Sequence, residues 1–276
     1  WVAGLQLAGL SLQNQANISD FVASFTGDDR YIVDYLAEEI LSQQSPLIAD
    51  FLLKTSILER MNGNLCDAIT GREDGQEMLE MLEHGNLFII PLDNRRQWYR
   101  YHHLFAAFLR QQLERQEPKT LADYHRRASQ WYEDHHLMSD AIHHALAAED
   151  IIRAATLIEG FAYTTRMRGE VSTVMAWLRA LPQTFVLQRP RLCLEYAWCF
   201  IISGQPNKSV PFIQAIEKQL KFEIETSSDA ARNFNKQIRP LIGEAIAVRA
   251  KVSCDTGNPT DAIALFQQAR TYLPID

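Results

Sequence analysis

Two adjacent histidines, His102 and His103, stand where strand-forming residues (Trp98 to Tyr101) give way to a helical pattern (Leu104 to Arg110). The first turn of a helix leaves backbone N–H groups unpaired at the positive end of its dipole. An imidazole beside those donors suits an anionic group such as a phosphate. The chain has no G-x-x-x-x-G-K loop that could cradle a nucleotide's phosphates. The junction therefore reads as one part of a nucleotide switch whose main body lies elsewhere.

Other chemistry finds less support. All eight histidines fall between His84 and His144, with adjacent pairs at His102-His103, His135-His136 and His143-His144. Neighbours on a helix diverge by about 100°, whereas metal ligands must converge on one ion. Neither H-x-x-x-H nor H-E-x-x-H occurs, so the histidines read as solvated or capping residues. There is no G-x-S-x-G, and no Cys/His arrangement or carboxylate pair stands out. Cys66, Cys193, Cys199 and Cys254 lack zinc spacing. Cys193 and Cys199 lie in an apolar helical run and read as buried thiols of a reducing, cytoplasmic compartment.

Positioning the histidine junction requires a hairpin and helices, and the sequence supplies them. Pro46 opens a helix with Ser45 as N-cap. A short helix spans about Asn64 to Ile69 and ends at Gly71, and another runs Gln76 to His84 and closes at Gly85. A hairpin follows: Leu87 to Leu92, a turn at Asp93 to Arg96, and Gln97 to Tyr101. A helical pattern from Arg30 to Leu41 precedes these, and Val2 to Leu12 reads as a buried helix. Helices, a hairpin and a further helix make a winged helix.

After Pro118 every segment reads as helical. Gly257 to Ile263, then Phe266, Ala269 and Pro274, follow the second half of a tetratricopeptide repeat. Alanine admits a close neighbour and the aromatic fills the gap to the next pair. Weaker copies begin at Gly204, with Ile213 and Ile216 at the later positions, and at Ser139, with Ala141, Ala145 and Ala148. The step from Gly204 to Gly257 exceeds the ~34 residues of a standard repeat, so the repeats are irregular. The polar stretch Glu223 to Asn235 reads as an insertion.

The expected fold is thus mainly α: a winged helix with one β-hairpin, followed by a TPR-like superhelix of helix pairs. Acidic residues outnumber basic ones, 34 to 27, for a net charge of -7, which argues against a nucleic-acid coat. The would-be reading helix carries Glu77, Glu80 and Glu83, the wrong charge for a major groove, although the wing offers Arg95, Arg96 and Arg100. The dense aromatics from Trp98 to Phe108 and at Trp131-Tyr132 read as packing. No apolar run approaches the ~18 residues of a membrane span.

Several blocks carry a resemblance: WVAGLQLAGLSL at the start, DYLAEEILS from Asp34, FLLKTSIL from Phe51, NLFIIPL from Asn86 and WYRYHHLFAAFL from Trp98. With these the chain resembles the large ATP-dependent LuxR-type regulators, the MalT-like members of the STAND class of signalling NTPases. The resemblance implies that residues 1–27 end the NTPase helical domain, 28–118 form the winged helix, and 119–276 begin a sensor domain of repeats. It implies ATP or ADP in the full-length protein. His102, within Tyr101-His102-His103-Leu104, would touch the β-phosphate of ADP, and Val2 would stand where relatives place a proline against the adenine. It implies a small-molecule inducer or a regulatory protein on the repeats, self-association in the active state, and DNA contact only through a domain elsewhere. The piece itself would not hydrolyse ATP, its parent being a slow ATPase switch. The competing reading is a TPR-type protein-binding scaffold with no nucleotide role.

Overall fold

The computed structural model describes residues 40–226 and 231–273, with backbone only between 220 and 239. The helices expected at Val2 to Leu12 and in most of Arg30 to Leu41 lie outside the described residues, as do Val2 and Pro274. The chain is mainly α and divides into two compact units, 1–149 and 150–276.

The described residues of the first unit include α1 (Pro46–Thr55), α2 (Gly63–Thr70) and α3 (Gly75–His84). Each start has a local cause. The Ser45 hydroxyl accepts from the Ile48 N–H at 3.4 Å, with Pro46 in the first turn. The Asn62 side chain caps α2 through the Leu65 N–H at 2.9 Å. Asp67 reaches across to accept from the Gly75 N–H at 2.8 Å and so anchors α3 on α2. The two helices meet at paired glycines: a Cβ on Gly75 would sit 2.5 Å from the Gly63 carbonyl oxygen.

Gly71 ends α2 in the left-handed conformation, φ 75°. At the end of α3 that conformation falls one residue later than the glycine suggests. Gly85 stays right-handed and Asn86 takes φ 54°. The Leu87 N–H then bonds back to the Leu82 carbonyl at 2.9 Å, a Schellman closure.

The hairpin is β1 (Ile89–Pro91) and β2 (Tyr99–Tyr101), antiparallel with Ile89 opposite Tyr101. Its turn is built by Asp93, whose carboxylate accepts from the N–H groups of Arg95, Gln97 and Trp98 at 2.8, 3.1 and 2.8 Å. Those bonds hold the Asp93 carboxyl below its usual range. The other edge of β2 is paired as well: Met61 and Tyr99 exchange two bonds of 2.8 Å. This third edge, contributed by the segment between α1 and α2, is not visible as a strand in the sequence.

After β2 come α4 (His103–Gln116), α5 (Leu121–Asp134) and α6 (Met138–Ala147). The aromatic stretches pack as expected. Tyr99 is fully buried, while Trp98, on the opposite face of its strand, stands 6.4 Å from Trp131 edge-on and 5.1 Å from the Arg60 guanidinium. Arg60 also pairs with Asp140 at 3.0 Å, and its carbonyl accepts from the Tyr132 hydroxyl at 3.3 Å. The Arg127 guanidinium donates to the Ile69 carbonyl at 3.0 Å. The helix pair α5–α6 is thereby fastened to the winged helix.

The second unit comprises α7 (Ile151–Met167), α8 (Val171–Ala180), the short α9 (Gln183–Val186), α10 (Pro190–Ile202), a 3-10 turn (Pro206–Ser209), α11 (Val210–Thr226), α12 (Ala231–Asp255) and α13 (Pro259–Arg270). One joint recurs along the chain. His136, Glu149, Gly169, Gly204 and Gly257 are each left-handed, and the next helical segment begins two residues later. Five residues beyond each stands a small residue: Ala141, Ala154, Val174, Ser209 and Ala262, every one buried. The joint of the repeat pattern is thus present at Glu149 and Gly169 too, with Ala154 and Val174 at the buried position. Ile213 and Ile216 are buried as the pattern requires. Phe266 departs from it: the residue is 45% exposed. The ends of Glu223 to Asn235 belong to α11 and α12, and residues 227–230 lie outside the described residues.

Candidate functional site

The histidine junction is built by the hairpin. Beyond the paired strands, the His102 N–H donates to the Phe88 carbonyl at 2.7 Å. His102 then sits as the N-cap of α4 at φ −58°, ψ 135°, and its carbonyl accepts the first helical bond from Ala106 at 2.9 Å. Its side chain makes no capping bond. The next three N–H groups, of His103, Leu104 and Phe105, are those a helix start leaves without an intrahelical acceptor.

Beneath the junction lies a buried aromatic floor. Phe105 meets Phe88 at 5.4 Å and Tyr101 edge-on at 6.0 Å. The Tyr101 hydroxyl is 2.7 Å from Thr55 Oγ1, and burial raises its pKa. The half-buried His102 ring lies 4.4 Å from the exposed His103 ring. Burial first, then the charges of His103 and Arg100, lowers the pKa of His102. A neutral imidazole offers one N–H donor, and a bound anion would favour its protonated form.

The wing and α3 are tied to each other. The Gln76 amide donates to Glu80 at 2.9 Å and to the Arg96 carbonyl at 3.2 Å, and Arg96 pairs with Glu83 at 3.4 Å. Of the three wing arginines, Arg96 is therefore occupied within the fold. Asp93 organises the backbone around Arg95.

Two polar centres escape sequence reasoning. His125 and His144 approach through their Nδ1 atoms at 2.8 Å, and the buried His144 ring stacks on Tyr132 at 5.3 Å. These two correct the expectation of solvated or capping histidines: His144 is a core residue stacked on Tyr132, and His125 lies half-buried against it. In the second unit Arg166 and Glu195, both nearly buried, form a two-pronged pair at 2.8 and 3.4 Å. Arg166 also lies over the rings of Tyr163 and Trp198, at 5.3 and 5.5 Å. No motif marks either pair. The only signal is a charged or imidazole residue on the apolar face of a helix pattern. Cys193 and Cys199 are buried, and burial raises the thiol of each to about 12.

Residues 37–121, from before α1 to the start of α5, match the family model described as the MalT winged helix domain. That segment is a winged helix of the MalT kind. The chain is 31% identical, over its whole length, to the HTH-type transcriptional regulator MalT of Klebsiella pneumoniae subsp. pneumoniae, of which it covers 29%. It is 32% identical, over 91% of its length, to the serine/threonine-protein kinase PknK of Mycobacterium tuberculosis, of which it covers 23%. The chain therefore spans less than a third of these relatives. Among solved structures, a STAND protein with a tetratricopeptide repeat sensor, PH0952 from Pyrococcus horikoshii, aligns over 96% of this chain and 53% of its own. That alignment has 11% identity and a TM-score of 0.37, too loose a likeness to decide anything about the fold. No helix among the described residues is long and apolar enough to cross a membrane.

Proposed function

We propose that this chain is the regulatory middle of a larger signalling protein of the LuxR/MalT type, its winged helix closing on ADP and its helix pairs sensing an inducer or a partner protein. The observation that carries the regulatory reading is the pair of relatives: one is named a protein kinase and the other a transcriptional regulator, and both share this segment. A segment common to both fits a control module better than a kinase site or a DNA-reading helix.

His102 is the residue proposed to meet the nucleotide, donating to the β-phosphate beside the uncapped N–H groups of α4. Val2 would pack against the base. ATP and an inducer would favour an open, self-associating form, and DNA would be met by a domain elsewhere in a cytoplasmic protein. The nucleotide's phosphate loop would likewise come from outside this chain, so the chain alone turns over no ATP. Measurable turnover by the isolated chain would refute that.

The test is nucleotide retention by the full-length protein through purification, wild type against His102→Ala. Loss of bound ADP with an unchanged melting temperature supports the contact, and equal retention removes His102 from the switch.

A second reading, a protein-binding scaffold without nucleotide, draws on one observation. Ile152, Tyr163 and Met167 on α7 are 67, 56 and 64% exposed, more apolar surface than one helix needs to show to solvent. Retention of ADP that His102→Ala abolishes would count against it.

A further inference from the structure

The second unit holds a cavity of about 620 Å³ between the end of α8, the start of α9, the middle of α10, the 3-10 turn and the start of α11. One wall is aromatic. Tyr196 and Phe200 stand one turn apart on α10 at 5.1 Å, and Phe212 of α11 lies 4.5 Å from Tyr196 and 15° from parallel with it. The rim carries Arg179 and Lys208 with the amides of Gln183 and Asn207, and no carboxylate is among the described residues that line it. The chain as a whole is acidic, at -7. A cavity edged by cations alone runs against that background. Arg179 and Lys208 form no ion pair among the described residues, and Arg179 faces the Tyr196 hydroxyl.

The bland explanation is a groove between successive helix pairs. Such a groove does not require near-parallel rings beside two exposed cations that have no carboxylate partner among the described residues. Its volume falls within the ~300–1,000 Å³ of small-molecule sites. We propose that this cavity binds a small planar aromatic anion. The ring system would extend the stack of Tyr196 and Phe212, and the carboxylate or phosphate would meet Arg179 and Lys208. This deepens the sensing role proposed for residues 150–276 and does not involve His102. If it fails, ADP retention by the full-length protein still decides the nucleotide reading.

The test is calorimetric titration of the full 276-residue chain with two matched pairs of probes: 2-naphthoate against 2-naphthylmethanol, and AMP against adenosine. At least one anion should bind at or below about 1 mM and at least ~10-fold more tightly than its neutral partner. The anion that binds separates carboxylate from phosphate ligands. The double variant Arg179→Gln/Lys208→Gln should lose that ~10-fold advantage while keeping its melting temperature and its weak affinity for the neutral probe. The proposal is overturned if neither anion binds at about 1 mM, if anion and neutral partner bind alike, or if the double variant binds as wild type does.

Discussion

The carbonyl of Phe88 accepts the N–H of His102 at 2.7 Å while Phe88 itself is held at φ 55°. A bulky residue in the left-handed region costs roughly 1–2 kcal/mol. It persists here because the ring is buried against Phe105 and the carbonyl is turned toward the start of α4. Strain kept at such a point is a common mark of a working junction. Phe88→Ala keeps the strained backbone and removes the ring that holds it. Chemical unfolding should show a loss of about 3–5 kcal/mol. A loss below about 1 kcal/mol would show that the ring does not anchor the junction.

The repeated joints give a second prediction with both signs. His136 and Glu149 are exposed and left-handed without being glycine. Relief of the left-handed cost exceeds the added chain entropy of glycine, so His136→Gly and Glu149→Gly should each stabilise by about 0.5–1 kcal/mol. Gly204→Ala, at φ 73°, should destabilise by about 1 kcal/mol. Midpoints in urea that move the other way would mean that the joints are set by side-chain contacts and not by backbone conformation.

Arg166 and Glu195 sit out of water together. Removing one partner strands the other, so Arg166→Ala should cost about 3–5 kcal/mol. The double replacement Arg166→Met/Glu195→Leu removes both charges and should recover most of that loss. If the double variant is no more stable than Arg166→Ala, the pair matters for its shape and its ring contacts with Tyr163 and Trp198, not for the balance of charge.

The His125–His144 contact predicts acid sensitivity. Burial is the main cause holding both imidazoles below their usual range, with neighbouring histidines and Arg110 adding to it. A lowered pKa means the folded state binds fewer protons than the unfolded one in acid. The stability contribution is therefore complete above the unfolded value of about 6.5 and is lost as pH falls below it. Urea midpoints should drop from about pH 6.5 downward, the loss continuing to the folded-state values of about 4 for His125 and about 3 for His144. In His144→Phe, which keeps a ring on Tyr132, the drop should shrink, and equal drops in both proteins would exclude this pair as the cause.

The residue pattern gives away the elements that have local causes. Ser45-Pro46, the glycines after α2 and α3, the hairpin around Asp93 and the alanine spacing of α13 each announce a start, a stop or a close approach. What stays hidden depends on contacts distant in sequence. Met61 pairs with Tyr99, Arg166 with Glu195 and His125 with His144, and none of these partners is chosen by its neighbours in the chain. The joints at His136 and Glu149 are hidden for another reason: the residues there tolerate the left-handed conformation only because the helices on either side impose it. At the candidate site, the sequence marks His102 as the junction residue, while its bond to Phe88 becomes visible only once the strands are in register.

The Met61–Tyr99 exchange also bears on the order of folding. A two-stranded hairpin alone is marginal in water. Here the strand that follows the wing turn closes a ring of chain that contains α2, α3 and β1, and such closure must be repaid by contacts formed in the same step. The wing should form and open together with the helices it closes on. Amide exchange at Tyr99 should therefore report the opening of the whole helical unit.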